Sequence, residues 1–277
     1  MPANQTLNRD QLLSVLEWYS AAGVDTAIGE EPVDRFAQQR QAVEAALKPR
    51  QRAESAPAAT PPVPASDPSM SSDPAEARAL AKDCATLEAL EATLEAYDGC
   101  GLKRRATQLV FADGNPNAEI MLIGEAPGAE EDRQGKPFVG RSGQLLDRML
   151  AAIGLDRSSV YICNTVPWRP PGNRTPTPEE MALCLPFINR QVELVAPRLI
   201  VTLGGPAMKT VFDTSEGILK RRGHWANITV GSHQAEAMPT LHPAYLLRTP
   251  GAKHQAWRDM LSLKAKMREL GMKAPHD

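Results

Sequence analysis

Four cysteines in 277 residues, Cys84, Cys100, Cys163 and Cys184, are too few and too scattered to build a disulfide framework. They read as the thiols of a protein kept in a reducing cytoplasm. No apolar run approaches the ~18 residues that would mark a membrane span. The opening "MPANQTLNRDQ" lacks a basic stretch followed by an apolar core, so no signal peptide is expected. Aromatic residues are scarce at 5%, with five Phe in all, so a Phe outside any periodic stripe calls for its own explanation. The remaining composition, 42% hydrophobic and 23% charged, is that of an ordinary globular chain long enough to bury a sizeable core.

The formal charge of −2 is unevenly spread. Residues 1–97 carry 8 Lys/Arg against 15 Asp/Glu, whereas residues 98–277 carry 23 against 18. A mildly basic second half admits a polyanionic partner without requiring one.

Three regions follow from composition. Residues 1–47 read as a small helical segment, with Leu12, Leu13, Val15, Leu16 and Trp18 at helix-compatible spacing. Residues 48–75 are rich in Pro, Ala and Ser and almost free of large apolar side chains, which predicts a flexible linker. Residues 76–277 form the main domain. It opens with one predicted helix over 76–96, striped by Leu80, Cys84, Leu87, Leu90 and Leu94. Apolar runs at 118–124, 159–166, 198–204 and 237–242 then alternate with helical patterns near 141–153, 177–196, 206–213 and 252–270. Apolar strands alternating with helices predict an α/β domain whose parallel sheet is covered on both faces. Ligands of such sheets bind beyond the carboxyl ends of the strands, where Glu125, Asn164, Gly204 and His242 all fall.

The stretch "IMLIGEAPGAEEDRQGKPFVG" (120–140) begins like a phosphate-binding loop but carries acids, Glu125, Glu130, Glu131 and Asp132, where a phosphate cradle would carry Lys or Ser. Glu125 is either a solvated loop acid or helix cap, or a carboxylate on a rigid turn able to orient water or stabilise a developing cation. Asn164, inside an apolar strand, is either a satisfied core amide or a donor–acceptor pair matching the N3–H and O4 edge of a pyrimidine. Phe138 is either core or a stacking platform, and its Gly- and Pro-rich surroundings favour a loop. His242 ends the fourth strand before Pro243. Leu246 and Leu247 beside Arg248 suit an exposed wedge entering a base stack while the cation holds a phosphate. "RPPGNRTPTPEE" (169–180) reads as a solvated loop or as a flap carrying Arg169 and Arg174 over a DNA strand, ending in a helix start.

The segments "GEAPGAEEDRQGKPFVGRSGQLL", the run from "YICNTV" into "WRPPGNRTP", "LIVTLG" and "LHPAYLLR" together resemble the type-four uracil-DNA glycosylases over about residues 97–265. The resemblance implies a three-layer α/β/α sandwich around a four-stranded parallel sheet and hydrolytic excision of uracil from DNA, single- or double-stranded, by a cytosolic monomer. It assigns Glu125 and His242 to catalysis, and Ala126, Glu131, Phe138 and Asn164 to the substrate, with Glu131 crowding a thymine methyl. Arg169, Arg174, Leu246 and Arg248 would contact DNA, Leu246 as the wedge. Alternatives are a broader glycosylase acting on hypoxanthine or xanthine, and a non-catalytic DNA-binding module.

The family usually holds an iron–sulfur cluster on four cysteines. Here Tyr97 and Trp168 stand at two of those positions, and Cys100 and Cys184 remain at the others. A four-iron cube takes four thiolates, so no cluster and no other metal is expected, and Cys100 and Cys184 become candidates for a thiol pair. Cys84, on the helical stripe, and Cys163, inside a strand, read as buried small residues. A related group forms a covalent adduct through a His in a K-R-R-x-H loop. Lys220 to His224 match that pattern but follow the third strand rather than lying in the flap, so the segment reads as phosphate-contacting or structural.

Overall fold

The computed structural model describes residues 73–272; the helical segment over 1–47 and all but the last residues of the 48–75 linker lie outside the described residues. The single helix predicted over 76–96 is two, α1 (Pro74–Asp83) and α2 (Leu87–Ala96). The break has a local cause. The Thr86 side chain caps α2 by accepting from Ala89 N, and Cys84 turns extended before it.

The sheet has six strands: β1 (Asp113–Gly114), β2 (Ile120–Gly124), β3 (Tyr161–Asn164), β4 (Leu199–Leu203), β5 (Ala226–Val230) and β6 (His233–Thr240), in the order β1-β3-β2-β4-β6-β5. The four strands β3, β2, β4 and β6 run parallel, as expected, but β1 and β5 add an antiparallel strand at each edge. The expected four-stranded sheet is therefore the parallel centre of a mixed one. From β2 the chain steps to β3 on one side and then to β4 on the other. That reversal places a topological switch point at the carboxyl end of β2.

Alternate residues of β2 serve opposite cores. Ile120 and Leu122 pack with Leu199, Val201 and Met238 against Leu146 and Leu150 of α4 (Arg141–Ala151) and Met260 and Leu263 of α9 (Lys253–Glu269). Met121 and Ile123 pack with Cys163 and Ile200 against Ile188, Val192 and Val195 of α5 (Pro178–Val195). Burial on both faces explains why these strands read as unbroken apolar runs. The start of α5 is the one its sequence announces: Thr177 and Glu180 form a reciprocal capping box, with Pro178 in the first turn. A third cluster joins α1, α2 and α5 through Ala77, Ala81, Leu90, Leu94, Tyr97, Trp168 and Phe187. Short helices α3 (Ala129–Gln134), α6 (Gly205–Val211), α7 (Ile218–Arg221) and α8 (Pro243–Arg248) surround the carboxyl rim of the sheet.

Candidate active site

A cavity of about 680 Å³ opens at that rim, lined among others by Glu125, Ala126, Glu131, Phe138, Asn164, Gly204 and His242. Side chains more than a hundred positions apart thus share one space, and the reason begins at Gly124. It ends β2 in register with Asn164. A Cβ on Gly124 would lie 2.4 Å from Asn164 Oδ1 and 2.7 Å from the Phe138 ring. The missing side chain is what lets the amide and the ring close over the strand end.

Asn164 is 5% exposed and lines the cavity, its Oδ1 over the bare Cα of Gly124. An amide at a cavity wall offers a donor and an acceptor to a ligand with the complementary edge.

Phe138 adopts φ 54°, a left-handed conformation uncommon for a bulky residue. Its neighbours enforce it. Glu131 Oε1 accepts from the backbone N–H of Val139 at 3.0 Å and of Gly140 at 2.9 Å. Arg157 donates to the carbonyls of Pro137, at 3.2 Å, and Phe138, and is itself held by Asp113 at 2.6 Å and Asp147 at 2.8 Å. Gly143 of α4 has no room for a Cβ, which would lie 1.7 Å from the Phe138 carbonyl oxygen. Glu131 therefore lines the cavity and also fixes the loop that carries the ring. Arg157 gave no sequence signal at all.

His242 lies beside Phe138, ring centroids 5.5 Å apart. Its Nδ1 accepts from Ala244 N at 3.1 Å, so a neutral ring carries its proton on Nε2. Burial, with the Arg248 charge adding to it and Glu131 opposing, lowers its pKa to about 4. The imidazole is then a neutral donor at physiological pH. Gly204, at φ +94°, makes space for it; a Cβ there would come within 3.0 Å of His242 Cβ. A sign follows for stability. Between about 6.5 and about 4 the unfolded chain binds the proton that folded His242 refuses, so stability present above the ordinary His range is lost as pH falls through that window. Thermal melts of wild type and His242→Gln across this range should show the larger loss for wild type.

Glu125 follows on a turn pinned by its own carbonyl, which accepts from Val166 N at 3.0 Å and Thr165 Oγ1 at 2.8 Å. Burial raises its pKa, partly offset by a side-chain hydrogen bond from Thr175 of the flap.

The expected DNA-contacting residues divide. Arg174 reaches the cavity but makes a bidentate pair with Glu180, at 2.8 and 2.7 Å, which stiffens the flap. Arg169 is not on the cavity; it donates to Asn173 Oδ1 at 2.7 Å within the same flap. Arg248 is exposed on the rim. Leu246 is a correction: at 1% exposure it is core, packed with Leu241, Ala252 and Ala256, and cannot be an exposed wedge as it stands. Pro243 and Leu246, one turn apart on α8, share its buried face. The Lys220–His224 segment is held structurally: Arg222 is paired with buried Asp259, which also accepts from Thr240 Oγ1 at 2.6 Å, and exposed His224 does not line the cavity.

The four positions that the resemblance links to a cluster do converge. Tyr97, Cys100, Trp168 and Cys184 lie in one buried group with Phe187, whose ring is 5.1 Å from that of Tyr97. A hydrogen bond between the two thiols lowers the Cys100 pKa and raises that of Cys184. Burial pushes the Tyr97 hydroxyl up to about 12. Two thiols and two packed rings do not fit a cube that takes four thiolates. Cys163 belongs to the neighbouring cluster of β2, β3 and α5, and Cys84 donates to Leu80 O and Thr93 Oγ1; both are buried small residues.

The family described as the uracil DNA glycosylase superfamily matches residues 111–261. The type-4 uracil-DNA glycosylase of Thermotoga maritima is 42% identical over 163 residues, 58% of this chain and 83% of that protein. The type-4 enzyme of Sulfurisphaera tokodaii is 37% identical over 192 residues, 68% of this chain and 86% of that one. A type-5 uracil-DNA glycosylase of Pyrobaculum aerophilum is 35% identical over 113 residues, 35% of this chain and 50% of that protein.

Proposed function

The chain belongs to the uracil DNA glycosylase superfamily, and from that premise and the geometry of the rim we propose that it hydrolyses the N-glycosidic bond of deoxyuridine in DNA, releasing uracil and leaving an abasic site for base-excision repair. The observation that carries this reading is the convergence of the largely buried Asn164 with Glu125, Phe138 and His242 on one cavity. The substrate nucleotide is extruded from its stack, at roughly a few kcal/mol, and its base lies against Phe138. Asn164 then meets N3–H and O4. A base with the opposite donor pattern leaves that amide unpaired, and such buried mismatches discriminate strongly. Ala126 and Glu131 close the pocket beside the base.

Bond breaking leaves negative charge on the departing base and positive charge on the deoxyribose. His242 donates from Nε2 toward the base oxygen that gains charge. It does so without supplying a proton that must later be removed, since burial keeps the ring neutral. Ionised Glu125 stabilises the oxocarbenium-like sugar and directs water to C1′. No second carboxylate is required. DNA is the partner and the protein acts as a cytosolic monomer; among the described residues no helix is long and apolar enough to cross a membrane. The chain works without an iron–sulfur cluster, the Tyr97 and Trp168 rings packing in one cluster with the two remaining thiols.

An oligonucleotide carrying one uracil, treated with the enzyme and then with alkali, should break at that position, while a thymine counterpart stays intact. Salt-sensitive DNA binding with no abasic sites would instead make the protein a binding module. Cleavage of hypoxanthine strands at comparable rate would extend the substrate class. Iron in stoichiometric amount in freshly purified protein, with the visible absorbance of a cluster, would overturn the cofactor assignment.

A further inference from the structure

With Leu246 buried, the cavity needs another source for the apolar group that fills a vacated base stack. Among the described residues three large hydrophobic side chains are well exposed: Leu219, Trp257 and Leu261. Only Leu219, at 67% exposure, borders the cavity. An exposed leucine is unremarkable alone. Its mounting is not. The preceding Ile218 packs inward against the cluster of Leu241 and Leu246 and also lines the cavity, fixing α7 to the rim. Behind Leu219, Arg222 is locked to Asp259, and Gly223 N donates to Pro239 O at 2.8 Å. The leucine is thus held out on a short rigid helix rather than on a free loop. Lys220 beside it makes only an exposed pair with Glu216, at 2.9 Å, of a kind readily exchanged for a phosphate. Arg248 sits on the same rim.

We propose that Leu219 enters the base stack of duplex DNA as the target nucleotide leaves it for the cavity, with Lys220 and Arg248 on the flanking phosphates. This rests on the glycosylase reading above. The occupant of this apolar point is a base step and not a protein, because the point adjoins a nucleotide-sized cavity and is bordered by cations.

A wedge assists extrusion, so its loss acts most where the target base is paired and stacked. For Leu219→Ala, kcat/KM on a U·A duplex, divided by its value on the same strand unpaired, should fall about tenfold below the wild-type ratio. Leu219→Met, which keeps length and apolar character, should restore most of it. Because the side chain projects into solvent, the melting temperature should not move, which separates the effect from misfolding. An unchanged ratio in an active, folded Leu219→Ala protein would overturn the wedge. So would a fall produced by Leu247→Ala and not by Leu219→Ala, which would transfer the role to α8. Wild-type protein that releases no uracil from either strand form would remove the glycosylase reading, and the wedge with it.

Discussion

Glu125→Gln should slow uracil release by roughly 10³-fold, the scale on which positioned carboxylates act, while leaving binding of uracil-containing DNA nearly intact. The substitution keeps shape and removes charge. The proposed base-side contacts to Phe138, Asn164 and His242 are left in place, so the loss should fall on kcat rather than KM. The pH profile supplies a second readout. His242 is neutral at any pH well above about 4, so it does not set the acid limb. Glu125 does, and because burial raises its pKa, activity should begin to fall at a higher pH than an ordinary carboxylate would dictate. The same burial links activity to stability. A raised carboxylate contributes stability below the usual carboxylate range and loses it as pH rises through the raised value. Glu125→Gln should therefore melt higher than wild type at neutral pH, and the gap should close in acid. A variant that is equally slow but less stable would point to a structural role for Glu125 instead.

The parts of this site that were legible in sequence are those where backbone position alone decides the outcome. Glu125, Asn164, Gly204 and His242 share one rim because each lies at or just past the end of a parallel strand, and strand ends are fixed by apolar runs buried on both faces. Side-chain direction within a short helix was not legible. "HPAYLLR" offers three apolar residues in a row, and only packing decides that Leu246 turns in while Arg248 stays out. The edge strands escaped for a related reason. β5 alternates in burial and holds polar residues, and β1 is two residues long, so neither carries the apolar signature of the central four. Arg157 lies in an unremarkable "LDRSSV" and matters only through the carbonyls it reaches around Phe138. Leu219 was hidden in the opposite way: its basic neighbours drew attention to charge, when its exposure beside the cavity is what sets it apart.

Trp168→Ala should cost about 3–5 kcal/mol, the range for emptying a large aromatic site, and lower the melting temperature by about 10 °C in a domain of this size. Trp168 is 1% exposed and shares its cluster with Tyr97, Phe187, Cys100 and Cys184. These rings join α1 and α2 to α5, so a void there loosens the attachment of the domain's first two helices. The effect should also reach the rim. Trp168 stands four residues past Asn164, on a segment tied by Val110 N to Pro167 O and by Val166 N to Glu125 O, both at 3.0 Å. A slackened segment shifts the turn that carries Glu125, so activity should decline at temperatures below the melt. Trp168→Phe, which retains an aromatic plug, should recover much of both losses. Supplying iron and sulfide should recover neither, because the stability here comes from packed rings. A Trp168→Ala protein that melts with wild type, or one rescued by iron, would refute the view that aromatic packing has taken over the cluster's place.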